Sequence, residues 1–233
     1  MRNRVAVLLG RTVSVIPLVL CSTAGAQQLK LNSIPRPLAI YNTALSAEVE
    51  SGTTLQLSAK GGTNLFVNPA GGYHVVDAPM ALFAPDENFV LTAKASAVHR
   101  NIYDVAALVI YQDENLWAKL CFENSIKKEP TIVTVVTRDY SDDCNSTKVN
   151  AAYAYLGVAR KGQELSFHYS PDGKTWELVR HFRLALKDGA KVGFAVHGSR
   201  GDGFSASFSD VTYAAAPLAN MRQMESSPTG SGK

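Results

Sequence analysis

Apolar and polar residues alternate with a period of two along most of this chain, and the pattern is cleanest between Asp104 and Tyr140. There, three strand-like runs are joined by two short turns. In the middle run Leu116, Ala118, Leu120 and Phe122 fall on one face, and Trp117, Lys119, Cys121 and Glu123 fall on the other. Such alternation predicts a half-buried strand. Shorter runs of the same kind occupy residues 53–60, 64–68, 73–83 (divided by Pro79) and 88–98. They resume at 153–161, 164–170, 176–184, 191–197 and 204–213. Gly, Pro or Asp punctuates each run, and Asp172-Gly173 supplies the positive φ that a tight hairpin needs. No stretch carries the 3.6-residue repeat of a long amphipathic helix. The pattern therefore predicts one all-β domain, a sandwich or a barrel, over residues 53–213. Residues 27–52, with Pro35 and Pro37, read as an irregular lead-in, and 214–233 as a disordered tail.

The polar column of the middle strand is the first candidate for chemistry. A Trp117 ring can stack on a sugar, while Lys119 and Glu123 can hold hydroxyls through charge-assisted hydrogen bonds. Tyr111, Thr137 and Arg160 would line the same cleft if their strands share that face. His168 and His197, both in strands, could join it. The plainer alternative has Trp117 plugging the core, with Lys119 and Glu123 as a surface pair contributing at most about 1 kcal/mol. Asp142-Asp143 reads as a solvated acidic pair in a loop. Glycoside hydrolysis needs two carboxylates at a defined separation. Glu123 is the only one on the polar face of its strand, and Asp113 and Glu114 lie at the preceding turn. No histidine or cysteine pair has metal-ligand spacing, so neither a metal nor another cofactor is expected.

Charge narrows the partners. The 23 Lys+Arg include Arg2, Arg4 and Arg11, and without these three the remainder balances the 20 Asp+Glu. A near-neutral mature chain points away from nucleic acid and anionic membrane surfaces. Residues 1–26 read as a secretory signal, with Arg2 and Arg4 before an apolar stretch and Ala24-Gly25-Ala26 before a cut at Gln27. A lipoprotein signal ending at Cys21 is the rival, although Leu20 is not the small residue that processing prefers. The apolar stretch is too short and broken to span a bilayer, so the expected location is secreted or periplasmic. Cleavage leaves Cys121 and Cys144, an even count that invites a disulfide in an exported chain. The bridge requires Cys144 to fold back within about 7 Å of Cys121, Cα to Cα.

Several blocks occur together in order. They include Asn64-Leu-Phe-Val-Asn-Pro69, Ala107-Leu-Val-Ile-Tyr-Gln-Asp-Glu-Asn-Leu-Trp-Ala-Lys119 ending at Glu123, and Tyr140-Ser-Asp142. Ser170-Pro-Asp-Gly-Lys-Thr-Trp176 and Gly203-Phe-Ser-Ala-Ser-Phe-Ser-Asp-Val-Thr-Tyr213 follow. This set resembles the bacterial and fungal domain-of-unknown-function family that includes the yeast regulator-of-enolase protein. The resemblance implies a concanavalin A-like jelly roll of two curved antiparallel sheets. It covers residues 53–213, and the Trp-x-Lys-x-x-x-Glu strand is its most specific part. Members often carry a Trp after the Ser-Asp, where this chain has Asp143 and Cys144. The Glu-x-Asp-x-x-Glu motif of concanavalin-like glucanases is absent. The resulting expectation is an exported domain that binds carbohydrate on its concave sheet. A sugar-active enzyme using Glu123 as acid or base and a protein-interaction module are the alternatives.

Overall fold

The computed structural model describes residues 29–225. Those residues hold sixteen strands and no helix. The first eight are β1 (Ala39–Tyr41), β2 (Ser46–Glu50), β3 (Thr54–Lys60), β4 (Leu65–Val67), β5 (His74–Val76), β6 (Met80–Phe83), β7 (Phe89–Ala97) and β8 (Asp104–Asp113). The rest are β9 (Leu116–Asn124), β10 (Pro130–Arg138), β11 (Tyr140–Lys148), β12 (Tyr153–Lys161), β13 (Glu164–Ser170), β14 (Glu177–Arg183), β15 (Lys191–Gly198) and β16 (Gly203–Ala214). Two seven-stranded antiparallel sheets form a jelly-roll sandwich. The first runs β1-β6-β15-β8-β9-β10-β11 and the second β14-β13-β12-β7-β16-β3-β2.

The main core lies between the sheets. Phe89, Leu91, Ala93 and Ala95 of β7 enter it from the second sheet, and Leu120 and Phe122 of β9 from the first. Fully burying a Phe or Leu contributes roughly 1.5–3 kcal/mol, so the alternating faces are a principal source of cohesion between the sheets. At one edge Arg180 of β14 reaches across and pairs with Asp142 of β11 at 3.0 Å. Asp142 therefore closes the sandwich, with its backbone in an edge strand.

The central strands of the first sheet depart from the half-buried expectation. β9 is buried on both faces, and so is most of β8, β10 and β15. The cause is a cap. The β4–β5 hairpin lies over the outer face of the first sheet and builds a second core with it. Leu65, Met80 and Leu82 pack there against Trp117, Cys121, Val133 and Val135. The cap is fixed by the Val67 amide, which donates to Ser141 Oγ at 2.9 Å, while Ser141 also meets Thr137 Oγ1 at 2.9 Å.

Other expectations change with the fold. The lead-in contains β1 and β2 and sends Leu29, Leu31, Ile34 and Leu38 into the main core. The tail continues past β16, and Leu218, Met221 and Met224 pack with Trp176 on the outer face of the second sheet. The expected Cys121–Cys144 disulfide is corrected: both thiols are free, Cys121 buried and Cys144 exposed. Cys121 faces Val133 on β10, while Cys144 faces Thr134 on the same strand. Successive residues point to opposite faces, so the two thiols lie on opposite sides of the sheet, with β10 between them and a gap of two strand spacings, roughly 9–10 Å. The expected signal at 1–26, with Cys21, and the last residues of the tail lie outside the described residues.

Candidate functional site

Strand register determines which side chains meet. Across β15, β8, β9 and β10, His197, Val105, Glu123 and Thr131 form one row on the outer face of the first sheet. Val109, Lys119, Val135 and Asp143 form a parallel row across β8 to β11. Tyr111, Trp117, Thr137 and Ser141 form a third, nearer the other end of the strands. The cap covers that third row and packs on the valines of the other two, and an open cleft of about 540 Å³ lies over their polar members His197, Glu123, Lys119 and Asp143. Lys119, Glu123 and His197 are its floor. Tyr73, Tyr103, Asp143 and Arg200 are among its walls.

The column of the middle strand is thus divided. Trp117 is completely buried, and its Nε1 donates to the Glu114 carbonyl at 3.2 Å. No sugar can stack on it, and the sequence-based role is corrected to a core residue. Thr137 is also fully buried and helps fasten the cap. Tyr111 shares the face but packs beside the second core, with its ring 6.5 Å from that of Tyr41. Arg160 and His168 belong to the second sheet and do not reach the cleft. The Arg160 Nε donates to the Gly162 carbonyl at 2.7 Å. His168 lies on that sheet's other surface, where its Nε2 meets Ser166 Oγ at 2.9 Å. Lys119, Glu123 and His197 are the expected site residues that the fold brings together.

These three sit low in the sheet, Lys119 and His197 each 2% exposed and Glu123 9%. Lys119 Nζ lies 3.0 Å from His197 Nε2. Burial, with Lys119 as the second cause, holds the His197 pKa well below its usual value, so the ring is neutral. An ammonium can only donate, so Nε2 accepts from Lys119 and the ring proton is assigned to Nδ1. Burial raises the Glu123 pKa to about 7; Lys119 opposes the rise and Asp143 adds to it. Near neutral pH the floor therefore offers an ammonium donor and a carboxyl group that can either donate or accept.

The walls were not legible in the sequence. Asn64 Nδ2 donates to the Tyr73 hydroxyl at 3.0 Å, which sets one ring at the cleft mouth. Tyr103 holds φ at 63°, in the left-handed region that a bulky residue rarely adopts. Its amide donates to the Asn124 carbonyl at 2.7 Å. Strain of this kind costs about 1–3 kcal/mol and tends to concentrate at functional sites. Asp143, read as a loop acid, is carried to the rim by β11. Among the described residues no group of three or more His, Cys, Asp or Glu is arranged to hold a metal ion.

The family described as Protein of unknown function (DUF1349) matches residues 41–216. A Saccharomyces cerevisiae protein of unknown function superposes with a TM-score of 0.70 at 21% identity, covering 78% of this chain and 97% of that one. The GH43 protein BlXynB of Bacillus licheniformis gives 0.58 at 21% identity, covering 71% of this chain and 33% of that one. A xylan beta-1,4-xylosidase of Bacillus halodurans gives 0.54 at 17%, covering 68% and 32%. The chain thus spans about a third of those two proteins, and identities this low establish a shared fold alone. No curated protein matches the chain.

Proposed function

The chain belongs to the DUF1349 family of proteins of unknown function, and from that premise we propose that it binds carbohydrate in the cleft above Lys119, Glu123 and His197. One observation carries the reading. A cleft of about 540 Å³ has a floor of three nearly buried polar side chains and tyrosines in its walls. Its volume lies within the roughly 300–1,000 Å³ usual for small-ligand sites. Buried polar groups cost stability unless they are hydrogen-bonded. Lys119 and His197 already bond each other, so a ligand bearing several hydroxyls would supply partners to the Glu123 carboxyl and to the remaining ammonium hydrogens of Lys119. Tyr73, 41% exposed, offers a ring for a sugar face. The occurrence of this fold within a xylan beta-1,4-xylosidase agrees in kind. Calorimetric titration with plant and bacterial oligosaccharides tests the proposal. Saturable binding weakened up to about tenfold by Tyr73→Ala is expected, since aromatic contacts contribute roughly 0.5–1.5 kcal/mol beyond burial. Absence of binding to every glycan by the folded chain rejects it. The export signal read in residues 1–26 belongs to the same proposal, and a mature N-terminus at Gln27 is its check.

A second reading rests on Glu123. A carboxyl with its pKa raised to about 7, in a cleft that also contains Asp143, suits proton transfer to or from a bound sugar. New reducing ends or rearranged sugars, lost in Glu123→Gln, would identify an enzyme. Binding without turnover would leave the lectin-like reading.

A further inference from the structure

The cleft has a neighbour of different character. Beyond Arg200 lies a second depression of about 460 Å³, lined by Arg100, Lys128 and Arg200 together with His99, Asn101 and Asn124 among others. Its lining holds three basic side chains and no carboxylate. Arg200 lines both cavities, so the two lie on either side of one side chain. The main cleft is balanced by comparison, with Lys119 and Arg200 set against Glu123 and Asp143.

Among the described residues, none of the three cations of the depression forms an ion pair. The salt bridges found engage Arg36, Lys148, Arg180 and His181. Nor does overall composition account for the cluster, because the chain beyond the expected signal carries equal numbers of acidic and basic residues. Backbone hydrogen bonds hold the segments that carry two of the three. The Arg100 and Asn101 amides both donate to Asp104 Oδ2 at 2.8 Å, which holds that loop. Lys128 sits in a tight turn, where its amide donates to the Ser125 carbonyl at 2.8 Å. The buried Asn124 side chain ties the two segments together by donating to the Asn101 carbonyl at 2.8 Å.

We propose that this depression is an anionic subsite and that the ligand is an acidic saccharide, with sugar hydroxyls over Lys119, Glu123 and His197 and an oxyanion substituent among Arg100, Lys128 and Arg200. The inference rests on the carbohydrate reading of the cleft and adds the substrate class. A uronate carboxylate and a sulfate ester share the chemistry that these cations recognise.

The test is calorimetric titration of the chain with three tetrasaccharides: tetragalacturonate, a sulfated tetrasaccharide and neutral cellotetraose. Solvent-exposed ion pairs contribute about 0.2–1 kcal/mol each, so three cations predict roughly tenfold tighter binding of an acidic ligand at low salt. That preference should shrink in 0.5 M NaCl, as screening requires. Arg100→Gln with Lys128→Gln should remove most of it and leave the neutral affinity unchanged. Both side chains are exposed, so the fold is not at risk. The better of the two acidic ligands identifies the anion. Equal binding of neutral and acidic ligands, or a preference that survives the double substitution, overturns the subsite and spares the carbohydrate reading. Failure of all three ligands to bind overturns the subsite, and the carbohydrate reading falls with it when the wider oligosaccharide panel fails as well. An oligonucleotide of matched charge that binds as well as the acidic sugars would also overturn the inference, by showing nothing beyond charge attraction.

Discussion

Glu123→Gln offers a direct measure of the electrostatics beneath the cleft. The carboxyl titrates near 4.5 when exposed and at about 7 in the fold, chiefly because burial disfavours its charged form. A folded pKa above the unfolded one gives a stability contribution that is complete below about pH 4.5. It is lost as pH rises through about 7, where the folded protein must release a proton into a poorly solvated site. Each pKa unit corresponds to about 1.4 kcal/mol, so the full difference is on the order of 3 kcal/mol. Gln is isosteric with the protonated acid and never ionises. It should therefore match the wild type near pH 5 and become progressively more stable by comparison toward pH 8. For a domain of this size 1 kcal/mol moves the melting temperature by about 2–4 °C, so the expected gain at pH 8 is on the order of 5–10 °C. Thermal unfolding of both proteins across pH 5 to 8.5, followed by circular dichroism, is the assay. A melting difference that stays constant with pH would refute the reasoning, because it would mean that Glu123 titrates alike in both states. The nearby charge of Lys119 opposes the trend, and Lys119→Met should push the Glu123 midpoint still higher.

Other outcomes follow from the same geometry. Cys144 should react with a thiol reagent in the native chain starting at Gln27, whereas Cys121, buried and with its pKa pushed up to about 12, should react only after unfolding; a single oxidised species lacking free thiols would contradict this. Nitrogen-15 spectra of His197 should show a neutral ring at pH 6 with its proton on Nδ1, and a proton on Nε2 would overturn the assigned Lys119 hydrogen bond. Gly157→Ala should cost roughly 1–3 kcal/mol in denaturant unfolding, because the new methyl would lie 2.9 Å from Met224 Sδ and 3.0 Å from the Trp176 ring. An unchanged midpoint would mean that the tail does not pack there in solution.

The sandwich was readable because alternation is enforced wherever one face meets a core, as at Phe89, Leu91, Ala93 and Ala95. β11 was missed for the complementary reason. Ser-Asp-Asp-Cys-Asn-Ser-Thr has no large apolar residue, and an edge strand that is exposed at most positions leaves no periodic mark. Trp117 shows the limit of a one-strand reading. Its face assignment was correct, yet alternation cannot reveal that a hairpin some forty residues earlier folds down onto that face. Lys119 and Glu123 stood out because charges on a strand otherwise rich in apolar residues require an explanation. Tyr73, Tyr103, Asp143 and Arg200 come from four separate segments, and only the completed fold brings them together.

The β4–β5 cap carries a consequence for how such a domain diversifies. It reaches the sheet from outside, between β3 and β6, and contributes no strand to either large sheet. The sheet supplies the polar floor, and the cap supplies the shape of the entrance. Changes in the length or tip of that hairpin can therefore alter which ligands enter while the interior packing stays intact. The division is incomplete at one point, because the underside of the cap also shields Trp117. A variant that lifts the hairpin to admit a larger ligand will wet that indole, so broader ligand acceptance and heat resistance should trade against each other along this one element.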